Sequence, residues 1–159
     1  MQLTARIAAL ILLLDQASKY LVVQLLDLER LGAMDVLPPW LNLRMAWNRG
    51  INFGLFAGED MLTRWGLIAL ALAISAWVWL WVARSRHGRW VHAAAGLLIG
   101  GALGNVIDRL VYGAVADFLN MSLPFWDNPY SFNVADIAIF IGAAGLVLFT
   151  GESGAKRRR

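Results

Sequence analysis

Residues 65–83 read WGLIALALAISAWVWLWVA, without one charged side chain. A helix rises about 1.5 Å per residue, so roughly 20 apolar residues cross a hydrocarbon core about 30 Å thick. In a chain of 159 residues, a helix apolar on every face has no soluble core large enough to surround it. Working outward from this stretch, three further apolar runs appear, at 5–26, 91–112 and 134–150. Hydrophobic residues make up 59% of the chain, against about 45–50% for soluble domains, and the mean hydropathy is +0.58. These observations predict an all-α integral membrane protein with four transmembrane helices. They predict one membrane-embedded domain over 1–151, followed by a basic tail, 152–159.

The first run resembles a signal peptide at its start, where Arg6 precedes Ile7 to Leu14. Apolar character resumes after Lys19 and extends to Leu26, which is longer than the 7–15 residues of a typical signal-peptide core. It therefore reads as a span. Lys and Arg placement sets the orientation. Arg6, the arginines at 84, 86 and 89, and Lys156 to Arg159 put eight positive residues on one side. Arg30, Arg44, Arg49 and Arg64 put four on the other, and 113–133 has none. Both termini are predicted to be cytoplasmic, with 27–64 and 113–133 outside. The net charge of +3 thus follows membrane topology and does not point to a nucleic-acid partner.

Leu41, Leu43, Met45 and Trp47 alternate with Asn42, Arg44, Ala46 and Asn48, the period of a strand. Asn48-Arg49-Gly50 is a turn signal, and Ile51, Phe53 and Leu55 resume the alternation. The expectation is a small β-hairpin or cradle on the outer face, with Pro38-Pro39 ending whatever precedes it. Trp40, Trp47, Trp65, Trp126 and Tyr130 suit an outer aromatic belt and Trp90 an inner one. Gly96, Gly100 and Gly104 recur every fourth residue in the third span, a spacing that lets helices approach closely.

Against this apolar background the polar residues stand out. Asp117 follows the third span and Asp136 lies in the first turn of the fourth. Successive spans run in opposite directions, so both carboxylates reach the same face. Ionisable groups at the edge of hydrocarbon are costly and mark functional sites. Two that converge can share a proton and activate water for peptide hydrolysis. Asp15 and Lys19, one turn apart, can pair inside the first span. Asn105, Asp108 and Arg109 share one helical face, and Arg109 offers several donors to carboxylates or substrate carbonyls. Asn48 and Gly50 suit the turn for backbone reasons alone. Other hydrolase chemistries fit less well. His87 and His92 lie at the opposite face, cysteine is absent, and neither a zinc-binding His-Glu-x-x-His nor a Gly-x-Ser-x-Gly elbow occurs. Ser18 and Lys19 are adjacent, about 100° apart on a helix, and make a poor Ser–Lys pair.

Five segments in order resemble the lipoprotein signal peptidases, the signal peptidase II family of bacterial membrane aspartyl peptidases. They are Asp15-x-x-x-Lys19, Asn48-Arg49-Gly50-Ile51-Asn52-Phe53-Gly54, Gly100-Gly101-Ala102-Leu103-Gly104-Asn105-x-x-Asp108-Arg109, Val115-Ala116-Asp117-Phe118, and Phe132-Asn133-Val134-Ala135-Asp136. The resemblance implies four spans with cytoplasmic termini in the bacterial inner membrane. It implies Asp117 and Asp136 as the catalytic dyad, at the outer face. Asp15, Lys19, Asn48, Gly50, Asn105, Asp108, Arg109, Asn133 and Ala135 would bind substrate or support the site. The substrates implied are diacylglyceryl-modified prolipoproteins lying in membrane lipid, cut just before the lipidated cysteine. No metal or other cofactor is implied, and globomycin-type inhibitors would block the enzyme. Two positions depart from the family pattern, which commonly has Ala at Asn52 and Val at Ala116. The departure at Asn52 bears on contacts within the hairpin, and neither departure alters the dyad.

The chemistry expected of the pair is one ionised and one protonated carboxyl, the first activating water and the second polarising the scissile carbonyl. Sequence does not assign which is which. The competing class is a non-enzymatic proton- or ion-conducting bundle with Asp15, Lys19, Asp108 and Asp136 as relay sites. A relay needs polar groups on both sides of the membrane, whereas here they gather on one.

Overall fold

The computed structural model describes residues 1–50, 61–85 and 87–156, with side chains through Thr150. Helix α1 covers Gln2–Lys19 and widens into a π-helical segment, Tyr20–Leu25. A single turn, α2 (Leu28–Leu31), leads to strands β1 (Ala33–Leu37) and β2 (Leu41–Asn48). Helices α3 (Met61–Arg84) and α4 (Arg89–Val111) follow, then β3 (Val115–Asn120) and α5 (Val134–Lys156). Three helical stretches among the described residues are long and apolar enough to cross a bilayer: Gln2–Leu25, Met61–Arg84 and Arg89–Val111. The apolar part of α5, Val134–Thr150, is shorter. The helix itself continues through Lys156, so the tail expected from 152 is helical over its first residues.

Helix α4 is the centre of the bundle: 61% of its apolar stretch is buried, against 28% in α1 and 22% in α3. Its glycines account for this. A Cβ on Gly100 would fall 2.6 Å from the Ala8 carbonyl of α1, and one on Gly96 would fall 2.8 Å from the Thr4 carbonyl. Gly101 and Gly104 meet Ala135 and Asp15 in the same way. The regular small residues are therefore packing surfaces, as expected, but they serve two neighbours: Gly96, Gly100 and Gly104 face α1, and Gly101 faces α5. Between helices in lipid, close packing supplies the attraction that hydrophobic burial supplies in water. The other surfaces of the bundle are apolar and exposed, with Leu13, Trp77, Phe140 and Val147 among the most open side chains.

Among the described residues the sheet is three-stranded and antiparallel, in the order β1-β2-β3, where the alternation in 41–55 predicts a two-stranded hairpin. The residues expected as the second arm, Ile51 to Leu55, lie outside the described residues. β2 pairs instead with β1, across the Pro38-Pro39 turn, and with β3. The physical reason is burial from below. Leu43 and Phe118 pack with Val22 and Leu28 into a small cluster where the sheet meets the end of α1. Gly113, at φ +81°, lets the chain reverse after α4 and enter β3.

Candidate active site

Asp117 is set by strand pairing. It lies opposite Ala46 in β2, with Asn48 opposite Val115. Beyond β3 the loop folds back so that Phe132 pairs with Leu119: the Leu119 and Phe118 amides donate to the Phe132 carbonyl at 2.8 and 3.0 Å. That pairing places Asn133, the next residue, beside Asp117.

Asn133 is also the N-cap of α5. Its Oδ1 accepts the Asp136 N–H at 2.9 Å, and Asp136 Oδ2 accepts the Asn133 N–H at 3.3 Å. This reciprocal pattern is a capping box, here with an aspartate as its acidic member. The Asn133 amide donates to Asp117 Oδ1 at 2.6 Å and to Asn105 Oδ1 at 3.3 Å. Asn105 in turn donates to Asp136 Oδ1 at 3.0 Å. Asn48 donates to the second oxygen of Asp117 at 3.1 Å and accepts the Gly50 N–H at 3.1 Å. The two aspartates, expected to converge, are thus joined through shared asparagines. Asp117 is almost fully buried and Asp136 is partly exposed. Burial pushes the Asp117 carboxyl up to about 7, and the Asp136 charge adds to the rise. Phe118 is buried, whereas Ile137 is exposed.

A second cluster lies beneath the first. Lys19 Nζ stands 2.8 Å from Asp15 Oδ2 and 2.7 Å from Asp108 Oδ2, and donates to Asn105 at 3.3 Å. The Asp15–Lys19 pair expected from spacing is therefore present, and Asp108 joins it. Asp108 faces Lys19. Arg109 instead donates to the Asn105 carbonyl at 3.3 Å and the Gly50 carbonyl at 3.0 Å, fastening the β2 turn to α4. Buried charges of this kind persist when every partner is paired and hydrogen-bonded. Ala135, marked by sequence, contributes its backbone: its N–H donates to Asp15 Oδ1 at 3.0 Å.

Sequence reasoning passed over Gln16 and Ala116. The Gln16 amide donates to Asp15 Oδ2 at 3.1 Å and Asp108 Oδ1 at 3.0 Å, and the Ala116 N–H donates to Asp108 Oδ2 at 3.1 Å. A polar amide inside an apolar span, between Asp15 and Lys19, was the available signal for Gln16. Nothing in the identity of Ala116 points to a backbone contact. Among the described residues, no group of three or more His, Cys, Asp or Glu side chains is disposed to hold a metal ion.

The sequence pattern of signal peptidase (SPase) II matches residues 7–151, nearly the whole chain. The chain belongs to the signal peptidase II family. It is 42% identical over 149 residues to a lipoprotein signal peptidase of Methylobacterium sp. (strain 4-46), covering 94% of this chain and 88% of that one. It is 39% identical over 141 residues to a lipoprotein signal peptidase of Burkholderia mallei (strain SAVP1), covering 89% and 82%. Two solved structures of bacterial membrane enzymes share the architecture. One superposes with a TM-score of 0.83 at 24% identity, over 98% of this chain and 92% of the other. The second gives 0.76 at 25% identity, over 93% and 92%. Membership in the signal peptidase II family makes the chain a peptidase, and the apolar helices fit a multi-pass membrane protein.

Proposed function

We propose that this chain is an aspartic endopeptidase of the bacterial inner membrane that removes signal peptides from diacylglyceryl-modified prolipoproteins, cutting before the lipidated cysteine. Asp117 and Asp136 are its dyad. The observation that carries the reading is Asn133, whose amide holds Asp117 while its own carbonyl oxygen caps the Asp136 N–H. One rigid side chain thereby fixes two carboxyls, from a strand and a helix, in a single polar cluster. The family relatives, both lipoprotein signal peptidases, support the substrate.

Asp117, with its carboxyl pushed up to about 7, holds the proton of the pair. Asp136, at the positive end of α5 and facing Asn105, supplies the carboxylate. Asp136 takes a proton from water as the oxygen adds to the scissile carbonyl carbon, and Asp117 gives its proton to the carbonyl oxygen. In the tetrahedral diol the proton on Asp136 passes to the leaving nitrogen as the C–N bond breaks. Asp117 recovers a proton from the diol hydroxyl, and the starting state is restored. We read α5 as the fourth span, both termini as cytoplasmic, and the sheet as lying on the outer face, where it meets substrate and globomycin-type inhibitors. The test is cleavage of one purified lipidated prolipoprotein by wild type, Asp117→Asn and Asp136→Asn. Asn keeps the shape but cannot share a proton. Each variant should lose activity by about 100-fold or more; substantial turnover by either would remove the two-aspartate mechanism.

A further inference from the structure

The Asp15–Lys19–Asp108 cluster carries a regularity that neither a packing role nor substrate binding explains. Each carboxylate accepts the backbone N–H of the residue immediately before a candidate catalytic aspartate. Asp15 takes Ala135, ahead of Asp136, and Asp108 takes Ala116, ahead of Asp117. A backbone amide held one residue away fixes the direction in which the next side chain leaves the chain. Asp15 and Asp108 are fully buried, so no substrate reaches them without dismantling the bundle. One links α1 to α5, the other links α4 to β3, and two groups bridge them. Lys19 does so with one positive charge between two carboxylates. Gln16 does so without charge, through two N–H bonds to oxygens of both. Its amide also donates to the Gly104 carbonyl at 3.4 Å, at the glycine whose missing Cβ leaves room for the Asp15 carboxylate.

We propose that Gln16 is a positioning residue for the dyad: it ties together the two carboxylates that hold the residues before Asp117 and Asp136, and so fixes the spacing of the catalytic pair. This rests on the dyad proposed above. Lys19 alone pulls both carboxylates toward one point but leaves Asp108 Oδ1 without a side-chain donor from α1. Gln16 fills that position, and its planar amide makes the link directional. Orientation of reacting groups at this tolerance contributes to rate more than to substrate affinity.

Gln16→Met keeps length and shape and removes both donors; Gln16→Glu keeps length and sets a carboxylate against two others. Both are assayed on the lipidated prolipoprotein, and hydrogen exchange is followed at the Ala116 and Ala135 amides. Gln16→Met should lower kcat about tenfold with KM within twofold, and Gln16→Glu should lower it further. Both variants should exchange faster at those two amides while α3 keeps wild-type protection. Wild-type exchange at Ala116 and Ala135, or an unchanged kcat, overturns the proposal. A raised KM at constant kcat also overturns it, by making Gln16 a substrate contact. If the wild-type protein does not cleave the lipidated precursor, the proposed function fails instead. The exchange measurement then still decides whether Gln16 holds the two segments.

Discussion

Asp117 sits on the last strand with both carboxyl oxygens held by amides from Asn48 and Asn133. Those bonds favour its charged form, yet burial and the neighbouring Asp136 outweigh them and carry the carboxyl from 3.8 to about 7. Two pH effects follow. On the proposed mechanism the proton that polarises the scissile carbonyl is lost above about 7, so kcat/KM should decline as pH rises through that value. Stability moves the same way. From the ordinary carboxylate range up to about 7 the folded protein retains a proton that the unfolded chain has released, so stability falls as pH rises across this window and levels off above it. A pH–rate profile on the lipidated precursor, paired with denaturation midpoints from pH 4 to 9, checks both. An activity limb that stays flat to pH 9 would remove Asp117 as the proton donor. The pairing of Asp117 with Asp136 in one polar cluster was readable at this scale, because carboxylates beside apolar spans are conspicuous. Its connection through Asn133 was not, because a capping side chain that also reaches across to β3 depends on the Leu119–Phe132 pairing.

Helix α4 illustrates how an element becomes a template. Gly104 leaves room for the Asp15 carboxylate, and Gly101 leaves room for the Ala135 carbonyl; the same helix supplies Asn105, Asp108 and Arg109 to the site. Gly104→Ala should therefore do more than crowd a helix contact. Overpacking of this kind commonly costs about 1–3 kcal/mol, and here the displaced group is Asp15, which holds the start of α5. The expected outcome is a lower thermal midpoint together with a loss of kcat. Gly66→Ala, at a position inside α3 where a Cβ meets nothing within 4 Å, should lower neither. Equal behaviour of the two variants would show that close approach at Gly104 does not matter to the site. The glycine spacing was legible because a fourfold repeat defines one helix face. The sheet was legible only in β2, where alternation over Leu41–Asn48 is regular. β3 escaped notice because Val115–Asn120 is almost wholly buried on both faces and shows no alternation.

At the scale of the whole molecule, exposed apolar side chains on α1, α3 and α5 surround a polar cluster at one end of the bundle. The positive-inside rule, applied to the eight Lys and Arg of 1–6, 84–89 and 156–159, predicts that those segments face the cytoplasm. Reporter fusions after Arg84 should read cytoplasm and fusions near Asn128 should read outside. A cytoplasmic signal at Asn128 would put the dyad on the wrong face. The same geometry constrains the substrate. The part of the protein outside the spans is small: a three-stranded sheet and its loops offer a soluble peptide little surface to grip. On the proposed function, most binding energy would then come from what lies in the bilayer, and diacyl chains together with an apolar signal helix would supply it. They would also fix the depth of the scissile bond relative to Asp117 and Asp136. Binding energy from remote, non-reacting groups that is used for alignment raises kcat as well as affinity. A prolipoprotein identical except for the missing diacylglyceryl group should therefore be cut far more slowly even at saturation, with kcat falling by about tenfold or more. Measuring both precursors in the same bilayer, each at several concentrations, separates weak binding from poor alignment. If the two reach the same kcat, the lipid serves only to concentrate substrate, and the site is that of a more general membrane peptidase whose alignment comes entirely from the peptide.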